Sequence, residues 1–154
     1  MELAEETEMA REEIDGFLGR HETGVLALAR SDEPYAIPIS YGFDAGERTF
    51  YMRLVSTPES QKRRFLASSP SARLVVYEDE AGGSVYRSVV ATGTLEEIPV
   101  SELTVEHIEQ YGEAKRPLFE IWGRSKADLD IQLYRFLPDE LSGRLTEIDR
   151  DGGE

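Results

Sequence analysis

A chain of 154 residues with 40% hydrophobic content is long enough to bury one core, and its 31 acidic against 17 basic residues leave a net charge of −14. Such a surface repels nucleic-acid phosphates and excludes a role centred on DNA or RNA. The absence of cysteine excludes disulfides, thiolate metal sites and cysteine nucleophiles, and no apolar run approaches the ~20 residues of a membrane-spanning helix.

The amino terminus, MELAEETEMAREE, is acidic, unlike a secretory signal or transit peptide, and a cytoplasmic protein is expected. From Leu3 to Leu18, apolar Met9, Ile14, Phe17 and Leu18 among acids predict an amphipathic helix ending near Gly19. Thr23 to Arg30 (TGVLALAR) reads as a compact apolar strand. Pro34 to Phe43 alternates Tyr35, Ile37, Ile39, Tyr41 and Phe43 against Ala36, Pro38, Ser40 and Gly42. The turn formers SDEP between these runs predict a hairpin. Asp44 to Glu47 is a second turn, and Thr49 to Val55 a third strand.

Pro58 suits the first turn of a helix running to Ala67, capped by Ser56 or Thr57 and stopped by Ser68-Ser69-Pro70. Arg73 to Glu78 and Tyr86 to Ile98 are two more strands around DEAGGS, with Gly93 marking a bulge or bend. Pro99 to Tyr111 has the pattern of a capped helix, and Arg116 to Arg124 is short and aromatic. Leu129 to Leu137 and Leu145 to Asp149 give one or two closing strands. Short strands joined by hairpins, with helices between pairs, favour an antiparallel barrel over a parallel sheet. The expected fold is mainly β with flanking helices in a single domain: helix 1–19, barrel core 20–98, helical insertion 99–128 and closing strands 129–150.

Three features invite chemistry. Arg53, Lys62, Arg63 and Arg64 cluster at a strand-to-helix corner beside Ser56, Thr57, Ser60 and Gln61, in a chain otherwise poor in cations. A helix amino terminus flanked by hydroxyls, an arginine and a lysine suits a phosphate. A capped surface helix with solvated basic side chains accounts for the same residues equally well. Pro38 within IPISY demands an edge, where backbone groups can meet a ligand, although an edge strand protected by proline is the simpler reading. Trp122, near Phe119 and Arg124, can stack on a planar cofactor or pack in a core or interface. His21 and His107 lack the spacing of metal ligands, so no metal site is expected, and no Walker loop, G-x-G-x-x-G or G-x-S-x-G occurs. If the chain is an enzyme, a cofactor carries the chemistry.

The stretch GVLALARSDEPYAIPISYGFDAGERTFYMRLVSTPESQKRRFLASSPSARLVVYED resembles the flavin-binding core of the pyridoxamine 5′-phosphate oxidase-like family. The resemblance rests on Gly24-Val25-Leu26, the Pro-Ile-Ser-aromatic strand at Pro38 to Tyr41, Phe50 to Arg53, Lys62 with Leu66, Pro70 to Val76, and SVVATGTLEEI. LSGR at 141–144 resembles a C-terminal strand of its nitroimidazole-resistance-like and general-stress-like branches. It implies an antiparallel six-stranded split β-barrel of FMN-binding type, a homodimer with FMN at the subunit interface, and a flavin-dependent oxidoreductase. Its site residues would be Arg53 and Lys62 at the phosphate with Ser60 and Gln61 beside them. Ile37, Pro38, Ile39 and Ser40 would lie at the isoalloxazine edge, Ser88 and Val89 on a neighbouring strand, and Trp122 would stack from the other subunit. Ser60 stands where the family has glycine. The C-terminal arginine- and histidine-bearing motif that holds the substrate of true pyridoxamine phosphate oxidases is not found, so the resemblance extends to FMN and not to vitamin B6 oxidation. A non-catalytic FMN-binding or sensor protein and a deazaflavin-dependent relative are the alternatives. The few lysines (Lys62, Lys115, Lys126) and many acids give the composition of a halophilic protein.

Overall fold

The computed structural model describes residues 3–56, 64–66, 71–80, 84–98 and 130–149. These form β1 (Leu3–Glu8), α1 (Arg11–Arg20), β2 (Thr23–Arg30), β3 (Glu33–Ser40), β4 (Gly42–Asp44), β5 (Thr49–Ser56), β6 (Ser71–Glu80), β7 (Val85–Glu97) and β8 (Asp130–Asp149), with residues 64–66 helical. The strands make one antiparallel sheet in the order β3-β2-β6-β7-β8-β5-β4, and β1 pairs with β8 off this path. The two ends of that order, β3 and β4, are consecutive in the chain and separated only by Tyr41, so the sheet curls back to its own beginning. Counting β3 and β4 as one interrupted strand, the barrel has the six strands expected, with β1 added outside.

The hairpin between β2 and β3 turns on Ser31 (φ 48°) and Asp32 (φ 68°). Two successive left-handed residues give the turn whose twist matches a right-handed strand pair. The next turn is held by the Asp44 carboxylate, whose Oδ1 accepts from the backbone N–H of Gly46 at 3.0 Å and of Glu47 at 3.3 Å. β8 is one strand rather than two. It pairs with β5 through its first half, with β7 along most of its length, and with β1 at its end. Thr92 pairs with Glu140 while Gly93 pairs with Pro138, leaving Asp139 as the extra residue of a bulge. A proline is tolerated there because a bulge does not need its missing N–H.

Alternation sends Phe50, Met52 and Leu54 of β5, Leu74 and Val76 of β6, and Tyr134 and Phe136 of β8 into a common core. Phe50 stands at its centre, with ring centroids 5.3 Å from Tyr41, 4.8 Å from Phe43 and 5.8 Å from Phe136. Helix α1 closes one end of the barrel through Ile14, Phe17 and Leu18, the i, i+3, i+4 stripe that faces one side of a helix. It rests directly on β8, because a Cβ at Gly143 would lie 2.8 Å from Met9 Sδ and 3.0 Å from Ile14 Cγ1.

The amino-terminal helix is shorter than expected. Residues 3–8 form β1, and the helix begins only at Arg11. Residues 3–8 carry no 3.6-residue apolar stripe to bury, whereas the edge of β8 offers them a full ladder, Leu3 opposite Asp149 to Glu8 opposite Arg144. The side chain of Glu13 then accepts from the Ala10 N–H at 3.3 Å and fixes the helix start. The expected helices at 58–67 and 99–128 lie outside the described residues, apart from the helical residues 64–66.

Candidate functional site

Strand β3 is an edge of the sheet and lies against β5. Antiparallel partners alternate between pairs that exchange both N–H···O bonds and pairs that exchange none. Pro38 has no N–H, so its pairing with Val25 is of the second kind; the Tyr41 N–H donating to Glu22 O at 2.9 Å fits that phase. The peptide groups of Ala36, Pro38 and Ser40 therefore point away from β2, off the edge of the sheet. The side chains divide differently. Ile39 is in the core, Ile37 packs against it, Ser40 is buried, and Pro38 faces out.

Arg53 lies on β5 opposite Leu133, on the face turned away from Met52 and Leu54, half-buried with its Nε enclosed. β3 and β5, the strands that carry Pro38 and Arg53, belong to the same side of the barrel. Ser88 does not. It sits on β7, separated from β3 by β2 and β6, roughly 14 Å away at one strand spacing per step. Ser88 faces out opposite Tyr77, whereas Val89 is 1% exposed and packs in the core, so only its backbone can meet a ligand. Ser60, Gln61, Lys62 and Trp122 lie outside the described residues.

A feature not foreseen from the sequence adjoins the β3 edge. The β2–β6 ladder runs only from Leu28 opposite Ala72 to Val25 opposite Val75, although both strands continue beyond it. Where they part, a groove of about 420 Å³ opens between Thr23, Val25 and Pro38 on one side and Tyr77 and Asp79 on the other. Tyr77 is 67% exposed. In the run LVVYEDE it reads as one more apolar strand residue; strict alternation from buried Leu74 and Val76 would have placed it on the outer face.

In the lining of the groove, Glu78 is a meeting point of charges. Its Oε1 accepts from Arg20 Nη2 at 2.8 Å and lies 3.5 Å from Arg87 Nη1, and its Oε2 is 3.1 Å from His21 Nε2. Burial alone would raise the Glu78 carboxyl. The hydrogen bond and charge of Arg20, with the charge and hydrogen bond of His21, outweigh it and hold the group below the usual carboxylate range. His21 in turn packs edge-on against Phe17 at 4.5 Å. Beyond it a smaller cavity of about 280 Å³ is lined by Glu22 and Tyr41 among others. Tyr41 donates its hydroxyl to Leu18 O at 2.8 Å, and burial, with the nearby charge of Glu22, pushes its ionisation well above that of a free tyrosine. Among the described residues no group of three or more His, Asp or Glu side chains is placed to hold a metal ion.

A family model described as pyridoxamine 5′-phosphate oxidase matches residues 10–145. The chain belongs to that family. The same fold recurs at low identity in solved structures. An FAD-binding protein from Mesorhizobium loti superposes with a TM-score of 0.69 at 22% identity, covering 96% of this chain and 99% of that one. An FAD-binding protein from Mycobacterium smegmatis gives 0.61 at 18%, covering 92% and 98%. An uncharacterized protein from Rhizobium meliloti (strain 1021) is 32% identical over 94 residues, 61% of this chain, and the match spans 58% of that relative's own length.

Proposed function

We propose that this chain is an FMN-dependent oxidoreductase, cytoplasmic and homodimeric, with its cofactor at the subunit interface. What supports the reading is that β3 and β5, the strands carrying Pro38 and Arg53, lie against each other in a barrel of this family. The donor set suits the cofactor. The outward N–H and carbonyl of Ala36 and the outward carbonyl of Pro38 suit the hydrogen-bonding rim of an isoalloxazine, and a half-buried guanidinium suits a phosphate monoester. Two flavin-binding proteins with the same fold support the ring system. The phosphate preference rests on Arg53 and on Lys62, with Ser60 and Gln61 beside it. Ser88 stands too far from Pro38 to share one ring within a single chain, which favours a second copy supplying it, together with Trp122. When bound, the flavin would supply the hydride and electron transfer that side chains cannot.

Purified protein is expected to be yellow, or to become so on titration with FMN, with the flavin released on denaturation identified by mass. Protein that stays colourless under FMN would overturn the reading. Released FAD would correct the cofactor, and a released deazaflavin would move the chain to that alternative. Flavin that stays oxidised in the presence of NADH and NADPH would favour the sensor alternative. Arg53→Ala with Lys62→Ala is expected to weaken FMN binding about 30-fold or more while changing riboflavin binding less than about threefold, since charge-assisted hydrogen bonds contribute ~1.5–3 kcal/mol each. Equal loss for both ligands would remove the phosphate from this corner.

A further inference from the structure

The groove where β2 and β6 part lies beside the β3 edge and shares Pro38 with it. We propose that this groove binds a planar aromatic ring carrying a positive charge. Calling that ring the flavin's reaction partner rests on the flavin reading above; its binding does not.

Three observations carry the proposal. The first is shape: about 420 Å³ is the volume of a small-molecule cleft, and here it lies between apolar Val25 and Pro38 and the face of an aromatic ring. The second is Tyr77, which at 67% exposure is the one large apolar side chain left uncovered among the described residues, and its ring borders the groove. An exposed aromatic face attracts a second ring by stacking and a cation through its quadrupole.

The third observation is charge. Asp79, exposed on the same face of β6 as Tyr77, puts a carboxylate at the rim, and the described residues give it no ion pair. Three cations near it among the described residues are already engaged. Arg20 and Arg87 are held by Glu78 at 2.8 and 3.5 Å. Arg144, in the cross-strand row of Tyr77 and Ser88, is held by Glu6 at 3.0 Å and Glu8 at 3.4 Å. A phosphate ester or carboxylate entering the groove therefore meets the carboxylates of Asp79 and Glu78, in a chain of net charge −14. A cation meets the reverse.

The full-length protein, without added flavin, is titrated at pH 8 with 1-methylpyridinium, pyridine and benzoate, followed by saturation-transfer NMR and calorimetry. These are single rings of similar size that are cationic, neutral and anionic. The cation is expected to bind tightest and benzoate not at all. Tyr77→Ala is expected to weaken the cation about tenfold and Tyr77→Phe to leave it unchanged, because the aromatic face and not the hydroxyl attracts it. Asp79→Asn is expected to weaken it about threefold and to flatten its salt dependence. Tyr77 and Asp79 are exposed, so these variants keep the fold, which circular dichroism checks. Equal affinity for the three rings, unchanged binding by Tyr77→Ala, or no binding of the cation at millimolar concentration overturns the proposal. FMN binding without cation binding sinks this inference alone; cation binding through Tyr77 in a protein that refuses FMN sinks the flavin reading alone.

Discussion

Glu78 shows how one side chain ties the closing helix to the barrel. It sits on β6, yet its two oxygens reach Arg20 and His21 at the end of α1, while Arg87 approaches from β7. Its side chain is only 17% exposed, so these contacts are less screened than a surface pair. Because its pKa is lowered in the folded state, the stability it contributes is fully present above the unfolded carboxyl value of about 4.3 and is lost as pH falls through the lower folded value. Glu78→Gln is therefore expected to cost about 1 kcal/mol at pH 7, and the gap to the parent protein should close as pH falls from 7 to below the usual carboxylate range. Urea unfolding of both proteins across that range measures it; a gap that widens on acidification would contradict the assignment. None of this network could be read from the sequence. Arg20 and Glu78 are far apart in the chain, and nothing local marks either as a partner. Arg53 stands out in the sequence only as one of several cations at the strand-to-helix corner, where a solvated surface side chain is an equal reading. Tyr77 is easily missed, since a tyrosine after Leu-Val-Val reads as one more apolar strand residue unless the alternation from Leu74 and Val76 is followed strictly.

At the level of elements, the strands were legible and their junctions were not. Alternation in Tyr35 to Phe43 and the turn chemistry of Ser31-Asp32 define the β2–β3 hairpin, and Gly93 marks the bulge that the register confirms. The boundary between β1 and α1 was hidden, because residues 3–8 become a strand only through a partner strand more than 130 residues away, as the pairing of Glu8 with Arg144 and of Thr7 with Leu145 shows. Long-range pairing of this kind has no local signature. Two glycines hold junctions by close approach, and their surroundings rank them. A Cβ at Gly93 would meet the carbonyl oxygen of Leu137 and lie 2.6 Å from Pro138 Cα, both backbone atoms that cannot step aside. At Gly143 the nearest atom is Met9 Sδ, the flexible end of a side chain. Gly93→Ala is expected to destabilise by about 3 kcal/mol or more, and Gly143→Ala by about 1 kcal/mol with the helix shifted on β8. Chemical denaturation gives the order, and equal costs would mean that the bulge relaxes as readily as the methionine.

For the molecule as a whole, the question is what a net charge of −14 does to a barrel stitched by ion pairs. Among the described residues the pairs link separate elements: Arg48 of the β4–β5 turn with Asp15 of α1 at 2.8 Å, Arg135 of β8 with Glu96 of β7 at 2.9 Å, and Arg144 of β8 with Glu6 of β1 at 3.0 Å. Salt acts on this system in two opposed ways. It screens these partly exposed pairs, each worth about 0–1 kcal/mol, and so weakens the stitching. It also screens the repulsion among the surplus acids, which is spread over the whole surface and is relieved when the chain expands. The pairs lose little because their charges are in contact, closer than the screening length even at ~3 Å in 1 M salt, whereas the surplus charges are separated by distances that only a ~30 Å screening length in 10 mM salt leaves coupled. Repulsion therefore outweighs the pairing, and the thermal midpoint is expected to rise by about 5 °C or more between 10 mM and 1 M KCl. Potassium chloride is the proper salt, since sulfate would stabilise any protein by exclusion from its surface. A midpoint that falls over this range would show that the contacts between elements, and not the repulsion of the acidic surface, govern the response.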